Sequence, residues 1–293
     1  MRFDLVAVVD WSASSARPVP RQHADAIWLG LASIAGVETS YQPSRHAAEV
    51  TVTALIDRAL AKGQSLLIGF DFPMGYPDGF AARLTGQAAA PAVWSWLDGA
   101  ITDGPDNRNN RFAVADGINQ RFGGSTFGGP FWGRPESQPF AHLPPRKTVD
   151  YAKLGLAERR RVEVLVPRAQ PVWKLYTTGA AGSQSLTGLP LIHRLNRRPE
   201  VAVWPFEPPR QITLAEIYPS LLAPEVAKAL TPDPIQPAAI KDEVQVRLLS
   251  QSLFRLGQGD ALGDLLAAPP PEVRREEGWI LGAGAATVLR AAL

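Results

Sequence analysis

Cysteine is absent from this 293-residue chain, and histidine occurs only four times. Without cysteine the protein can form no disulfide framework, and it has no thiolate to act as a metal ligand or a nucleophile. The four histidines show no H-x-x-x-H spacing, which argues against a structural zinc site. Disulfide-rich domains and thiol enzymes are therefore excluded from the function classes to consider.

A strong excess of charge and a long hydrophobic run are also missing. The 30 Lys and Arg residues nearly balance the 28 Asp and Glu residues, and the formal net charge is +2. This balance neither requires a nucleic-acid partner nor excludes one. No window approaches the roughly 20 apolar residues that span a bilayer, and the short N-terminal apolar stretch ends in Asp10. We therefore expect a cytoplasmic protein with no membrane partner; the oligomeric state stays open.

Hydrophobic periodicity predicts an α/β protein. A continuous apolar run at 65–71 is typical of a strand that is buried on both faces. Before it come three strand patterns, at 3–10, 26–34 and 37–42, and one helical pattern at 45–62. The predicted order is β-β-β-α-β, with the first three strands antiparallel. Later strand candidates at 201–204 and 211–218, and helices at 240–257 and 259–268, resume this core.

Residues 76–205 differ in composition from the rest of the chain, because Pro, Gly, Trp and Asn are frequent there. We predict that they form an insertion or lid on one α/β core made of residues 1–75 and 206–293. A charged helix is expected within this insertion at 153–165. Its aromatic residues either stack nucleic-acid bases or form a small private core; they include Trp94, Trp96, Phe127, Phe131 and Trp132.

Three carboxylates share one sequence context, the polar end of an apolar strand: Asp10 in VAVVD, Asp71 in LIGFD and Glu216 in TLAE. A fourth, Asp242, lies in the first turn of a predicted helix. Carboxylates grouped at buried strand ends repel one another, and a divalent cation compensates their charge. Hard oxygen ligands select Mg²⁺ or Mn²⁺. An Asp after a strand can instead cap a turn or a helix, so that alternative stays open.

Several short motifs occur in an order that resembles an uncharacterised bacterial family of predicted nucleases in the ribonuclease H-like superfamily. They are VVDWSAS, GFDFPMGYP, DNRNNRF, GSQSLTGLP, AEIYPSLL, IKDEVQ and EEGWILGA. The resemblance implies a ribonuclease H-like mixed sheet with a large insertion, and a carboxylate metal site at Asp10, Asp71 and Asp242. Gln245 stands where resolvase-like members of the superfamily have a second acid on the late helix. Asp260 and Asp264 are alternatives to Asp242.

Two segments offer candidate substrate-binding residues. VWKLYTTGAAGSQSLTGLP supplies Lys174, Ser183 and a glycine-containing backbone that can bind phosphate, although the Walker A pattern is absent. An ordinary flexible loop is the alternative. DNRNNRF places Asn109 and Arg111 at a predicted helix start, where they either hold polar groups of a substrate or cap the helix locally.

The leading hypothesis is a metal-dependent phosphodiester hydrolase that acts on nucleic acid or on a nucleotide-like phosphate. Asp10 bridges two cations in this hypothesis, Asp71 and Asp242 each complete the shell of one ion, and Glu216 orients water. Lys174 or Arg111 neutralises the phosphate.

Two alternatives remain from the sequence. One is a nucleotide-dependent phosphotransferase on the same core, with the Ser12–Ser15 turn as its phosphate loop. The other is a non-catalytic binding module that has kept the fold.

Overall fold

The computed structural model describes residues 2–24, 26–123, 128–231 and 239–293. In this part of the chain, a mixed six-stranded sheet has the strand order β3-β2-β1-β4-β6-β5. The strands are β1 (Leu5–Asp10), β2 (Ile27–Ser33), β3 (Gly36–Gln42), β4 (Leu66–Phe70), β5 (Val201–Trp204) and β6 (Ile212–Glu216).

The first three strands form the antiparallel meander that the sequence predicts. Strand β4 then runs parallel to β1, because helix α1 (Arg45–Ala61) carries the chain back between β3 and β4. Strand β6 is parallel to β4, and β5 is parallel to β6. The predicted α/β class and the β-β-β-α-β order are confirmed.

Helix α1 illustrates how the sequence sets a local element. Ser44 caps its first turn by accepting a hydrogen bond from the N–H of Ala47, and Gly63 follows its end with a left-handed φ of 63°. The helix buries one face at helical spacing, formed by Ala48, Val52, Leu55, Ile56 and Ala59. This face packs against the same hydrophobic cluster that contains Val9 of β1.

Helices cover both faces of the sheet. One face carries α1, α3 and α7, and the other face carries α9. The helices after α1 are α2 (Phe80–Thr85), α3 (Ala90–Ala100), α4 (Arg111–Arg121), α5 (Tyr151–Leu154), α6 (Arg161–Leu165), α7 (Ala181–Asn196), α8 (Ala223–Ala229), α9 (Lys241–Gly257), α10 (Ala261–Ala267) and α11 (Ala286–Ala291). Among the described residues, none of the helices has the length and apolar character needed to cross a membrane.

The segment predicted as an insertion shares its core with the sheet. Strand β5 lies before residue 206 and pairs with β6, so the sheet extends into the range that the sequence assigns to the insertion. The single charged helix expected at 153–165 is instead two short helices, because Gly155 takes a left-handed φ of 69° after α5.

The aromatic residues of this segment pack into the protein. Trp94 and Phe131 are fully buried in the same cluster as the sheet residue Val9, and Trp96 and Trp132 pack against that cluster. Phe127 lies outside the described residues. These aromatic residues therefore belong to the hydrophobic core of the sheet and do not form a separate core of their own.

Candidate functional site

Asp10 and Asp71 lie side by side at one edge of the sheet. Strands β1 and β4 are parallel and pair Val9 with Phe70, so the next residue of each strand, Asp10 or Asp71, reaches the same edge. The N–H of Trp11 donates to Asp71 Oδ1 at 2.6 Å. The carboxyl groups of Asp10 and Asp71 lie within hydrogen-bonding reach of each other. The strand pairing thus converts two distant positions in the sequence into one acid pair.

The surroundings of this pair favour its protonated form. Burial raises the pKa of Asp10 well above its usual range, and the charges of Asp71 and Asp242 raise it further. Burial also raises the pKa of Asp71 to about 7, although the hydrogen bond from Trp11 opposes the shift. Two carboxylates this close share a proton near neutral pH unless a cation compensates their charge.

Asp242 reaches the pair from the other side of the cleft. It lies in the first turn of α9, which packs on β1 and β2. A Cβ on Gly30 of β2 would lie 2.5 Å from the carbonyl oxygen of Val246, so glycine allows α9 to lie directly on the sheet. Asp242 lines the same cleft as Asp10 and Asp71 and raises the pKa of both.

The alternatives to Asp242 lie elsewhere. Asp260 and Asp264 are exposed and follow the far end of α9, so they do not line the cleft. Gln245, one turn after Asp242, does line it. This amide occupies the place where the resemblance suggests a second acid.

A cleft of about 430 Å³ opens over the acid pair. Lys174 lines it and is oriented by its own loop, since Nζ donates to the carbonyl oxygen of Thr178 at 2.6 Å and to Gln170 Oε1 at 3.4 Å. Lys241 and Arg168 add two more cationic side chains to the wall. The cleft therefore combines a floor of carboxylates with a rim of positive charge, an arrangement that suits a phosphate ester bound through a cation.

Glu216 is held in a buried ion pair. Its two carboxylate oxygens accept hydrogen bonds from Arg160, at 2.6 and 2.7 Å, and one of them also accepts the N–H of Met74 at 3.1 Å. Arg160 in turn bonds Glu163 at 2.7 Å, and all three ionic side chains are almost completely buried. Glu216 thus lines the same cleft as Asp10 and Asp71, but the structure commits both of its carboxylate oxygens to an ion pair, and we do not include it among the acids proposed to hold the cation.

The strand register explains this difference. Glu216 pairs with Phe70, and Phe70 pairs with Val9, so all three share one face of the sheet. Asp10 is one residue further along β1 and therefore points to the opposite face, toward α9, and Asp71 directly follows β4. All three acids still line the cleft at this edge of the sheet. The sequence context that the three acids share does not show which face of the sheet each side chain points to.

The remaining candidate residues form a second cluster beside the acid pair. Arg111 donates from Nε to Ser183 Oγ at 2.9 Å, and from Nη1 to Asn109 Oδ1 at 2.8 Å and to Ser15 Oγ at 2.9 Å. Ser183 also donates to the carbonyl oxygen of Leu175. Arg111 and Ser183 line a groove that Asp10 and Asp242 also line. The structure thus brings Arg111, Asn109 and Ser183 together, whereas Lys174 lines the neighbouring cleft.

Arg45 is a central residue that the sequence interpretation missed. It is buried and bonds the carboxylate of Asp103 and the carbonyl oxygens of Ser12, Ser14 and Asn107. A basic residue in the first turn of a helix opposes the helix dipole. Arg45 and Arg111 are each the first residue of a helix. This unfavourable placement was the feature of the sequence that could have marked Arg45 as a residue with a special role.

The donor set at the acid pair suits a hydrated hard cation. Among the described residues, no group of three or more His, Asp or Glu side chains is arranged as a ready-made metal cage. Mg²⁺ often binds through one or two protein carboxylates and keeps several waters or takes substrate oxygens. Asp10 and Asp71 supply two such carboxylates in contact, with Asp242 near enough to perturb their pKa values.

Comparison of the chain with family models, with curated proteins and with solved structures found no match. The residues of the site are therefore the basis for its function.

Proposed function

We propose that this protein is a metal-dependent phosphodiester hydrolase, and that Asp10 and Asp71 hold Mg²⁺ or Mn²⁺ on a ribonuclease H-like core. The observation that carries the proposal is the contact between the two carboxyl groups on the floor of a cleft rimmed by Lys174. Such a pair is costly to ionise without a cation, which gives a reason to expect one. The substrate class is nucleic acid or a nucleotide-like phosphate.

The topology supports the ribonuclease H-like part of the proposal. An antiparallel meander of three strands, with a fourth strand parallel and adjacent to the first, is the core that the sequence resemblance implies. The acid of the first strand, Asp10, and the residue that ends the fourth, Asp71, are the ones that meet. Asp242 on a late helix supplies the third acid of that pattern.

The residues of the cleft have distinct chemical tasks in this hydrolysis. A bound divalent cation supplies charge compensation for the phosphate and activates water. Asp10 and Asp71 hold it in their ionised form, and Asp242 orients water or a further ion on the α9 side. Lys174, already directed by Thr178, neutralises a phosphate oxygen at the rim.

The phosphotransferase alternative receives no specific support from the Ser12–Ser15 turn. The N–H groups of Ser14 and Ala16 donate to the hydroxyls of Ser12 and Ser14 within the turn. These donors are used locally, whereas a phosphate loop presents its N–H groups to the ligand.

Metal-linked stability tests the proposal. Melting curves of the wild type and of Asp10→Asn are recorded with Mn²⁺ and with chelator. Binding to the native state alone stabilises the wild type by about 2.7 kcal/mol at a hundred times Kd, which is several degrees in Tm for a chain of this size. Asp10→Asn is expected to lose most of this shift without losing stability in chelator, because it removes a buried carboxyl group whose ionised form is unfavourable in the metal-free protein.

Hydrolysis of bis(p-nitrophenyl) phosphate and of labelled single-stranded DNA and RNA is expected to require Mn²⁺ and Asp10.

The matched control is Asp264→Asn, which removes an exposed acid away from the cleft and should keep both the shift and the activity. A wild-type curve that does not respond to Mn²⁺ contradicts the proposal. Equal shifts in the wild type and in Asp10→Asn remove Asp10 from the site. A loss of stability in Asp10→Asn with and without metal would point to a capping role instead.

A further inference from the structure

Arg111 is a buried cation without a counter-ion. It is 9% exposed, and its hydrogen-bond acceptors are the neutral oxygens of Ser183, Ser15 and Asn109. Within the described residues, no carboxylate forms an ion pair with it. The charge of Asp103 raises the pKa of Arg111, but the carboxylate of Asp103 is bound by Arg45. The ring of Phe112 lies 4.3 Å from the guanidinium carbon and stabilises the cation in part. A buried charge without an ion-pair partner remains costly, which favours an anion from outside the chain.

The charge balance around Arg111 reinforces this requirement. Arg45 and Arg111 are both buried, and Asp103 compensates only one of them. Burial and the neighbouring Arg45 lower the pKa of Arg111 to about 10, so the guanidinium is still charged at neutral pH. An excess of one positive charge thus remains inside the protein at this point.

A ligand can reach this charge. Arg111 lines a groove of about 550 Å³ together with the polar residues Ser12, Ser14, Thr177 and Thr178. Nε and Nη1 of Arg111 are used by the protein, whereas Nη2 has no hydrogen-bond partner in the described part of the chain. Asp10 and Asp242 also line the groove, so an anion is favoured at Arg111 and disfavoured beside these two acids.

We infer that the groove binds a phosphate oxyanion on Arg111, separate from the phosphate that faces Asp10 and Asp71. Arginine suits this ligand because its planar fork of N–H groups matches phosphate oxygens, and serine and threonine hydroxyls can donate to the remaining ones. The anion site itself does not depend on the proposed hydrolysis. Its use for a second phosphate of the same substrate rests on that proposed function.

Calorimetric titration with inorganic phosphate in chelator tests the site. Chelator removes any phosphate held through a cation at Asp10 and Asp71, so failure here is distinct from failure of the metal-dependent activity. The wild type is expected to bind phosphate saturably, and Arg111→Met to bind it about tenfold to a hundredfold more weakly, because charge-assisted hydrogen bonds are lost. The control Arg108→Gln removes a nearby exposed cation that pairs with Asp106, and should leave the affinity unchanged.

Several outcomes overturn the inference. The wild type could bind no phosphate, or folded Arg111→Met could bind it as the wild type does, in which case Arg111 only supports the structure. Should Arg111→Met fail to fold, Arg111→Lys keeps the charge but lacks the fork, and an affinity equal to that of the wild type would count against the site. Crystals of the wild type soaked with tungstate give a check that needs no variant: the anomalous peak is expected beside Arg111, and its absence there refutes the assignment.

Discussion

The raised pKa values of the acid pair tie the stability of the metal-free protein to pH. Asp71 has an ordinary pKa of 3.8 when unfolded and about 7 in the native state. Between these values the native protein keeps a proton that the unfolded chain has released. The free energy of unfolding therefore falls as pH rises through this window, by up to about 1.4 kcal/mol per pH unit. Asp10, with its pKa also raised, acts in the same direction.

We predict that Asp71→Asn flattens this dependence. Asparagine can keep the hydrogen bond from the N–H of Trp11 while removing the titrating group. Urea unfolding in chelator, at a series of pH values from 3.8 to about 7, measures the slope. Asp264→Asn should retain the wild-type slope. An unaltered slope in Asp71→Asn would show that the carboxyl group of Asp71 does not titrate as its burial indicates.

In the wild type, Mn²⁺ affinity should weaken as pH falls below about 7, since the cation binds the ionised pair.

At the scale of the element, close packing of helix α9 on β2 places Asp242. Val246, whose carbonyl lies against Gly30, is one helical turn after Asp242. A methyl group at Gly30 would collide with backbone, which cannot move aside as a side chain can. Small changes at this contact therefore shift the helix and the acid that it carries.

We predict that Gly30→Ala destabilises the protein by about 1–3 kcal/mol and weakens the Mn²⁺-dependent shift in Tm. The matched change Gly117→Ala, in α4, adds a methyl group where nothing lies within 4 Å. It should stabilise the protein by roughly 0.5–1 kcal/mol, because glycine is a poor residue for a helix interior. Urea unfolding gives both values. Equal effects of the two substitutions would mean that α9 does not rest on Gly30.

Elements with a strong local signal could be predicted from the sequence. The capped helix α1 and the apolar strand β4 follow from hydrophobic period and capping residues. The meeting of Asp10 and Asp71 was implied by the family resemblance, because hydrophobic period does not specify which strands pair. The middle of the chain could not be predicted in this way, because its order comes from distant contacts. The buried Asn119, for example, donates to the carbonyl oxygens of Gly128, Phe131 and His142, and no local pattern specifies such contacts.

At the scale of the whole molecule, one buried ion network connects segments that are far apart in sequence. Arg160, in the segment predicted as an insertion, bonds Glu216 at the end of β6 and the carbonyl oxygen of Glu277 near the C-terminal end of the chain. Glu276 accepts the N–H groups of Gly79 and Ala81 at the start of α2. The segment that looks separable in sequence is therefore joined to the core by buried charges as well as by a shared hydrophobic cluster.

This network makes a prediction that separates structural acids from site acids. Glu216→Gln should lower the free energy of unfolding by about 1.5–3 kcal/mol, the value of hydrogen bonds to charged groups, while Glu163 still compensates Arg160. Arg160→Met should cost more, about 3–5 kcal/mol, because two buried carboxylates then face each other without a cation. Urea unfolding in chelator measures both. In Glu216→Gln the rise in Tm on adding Mn²⁺ should match that of the wild type, since Arg160 already binds both carboxylate oxygens of Glu216. A Glu216→Gln protein that keeps its stability but loses the Mn²⁺ response would place Glu216 in the metal site and contradict a purely structural role.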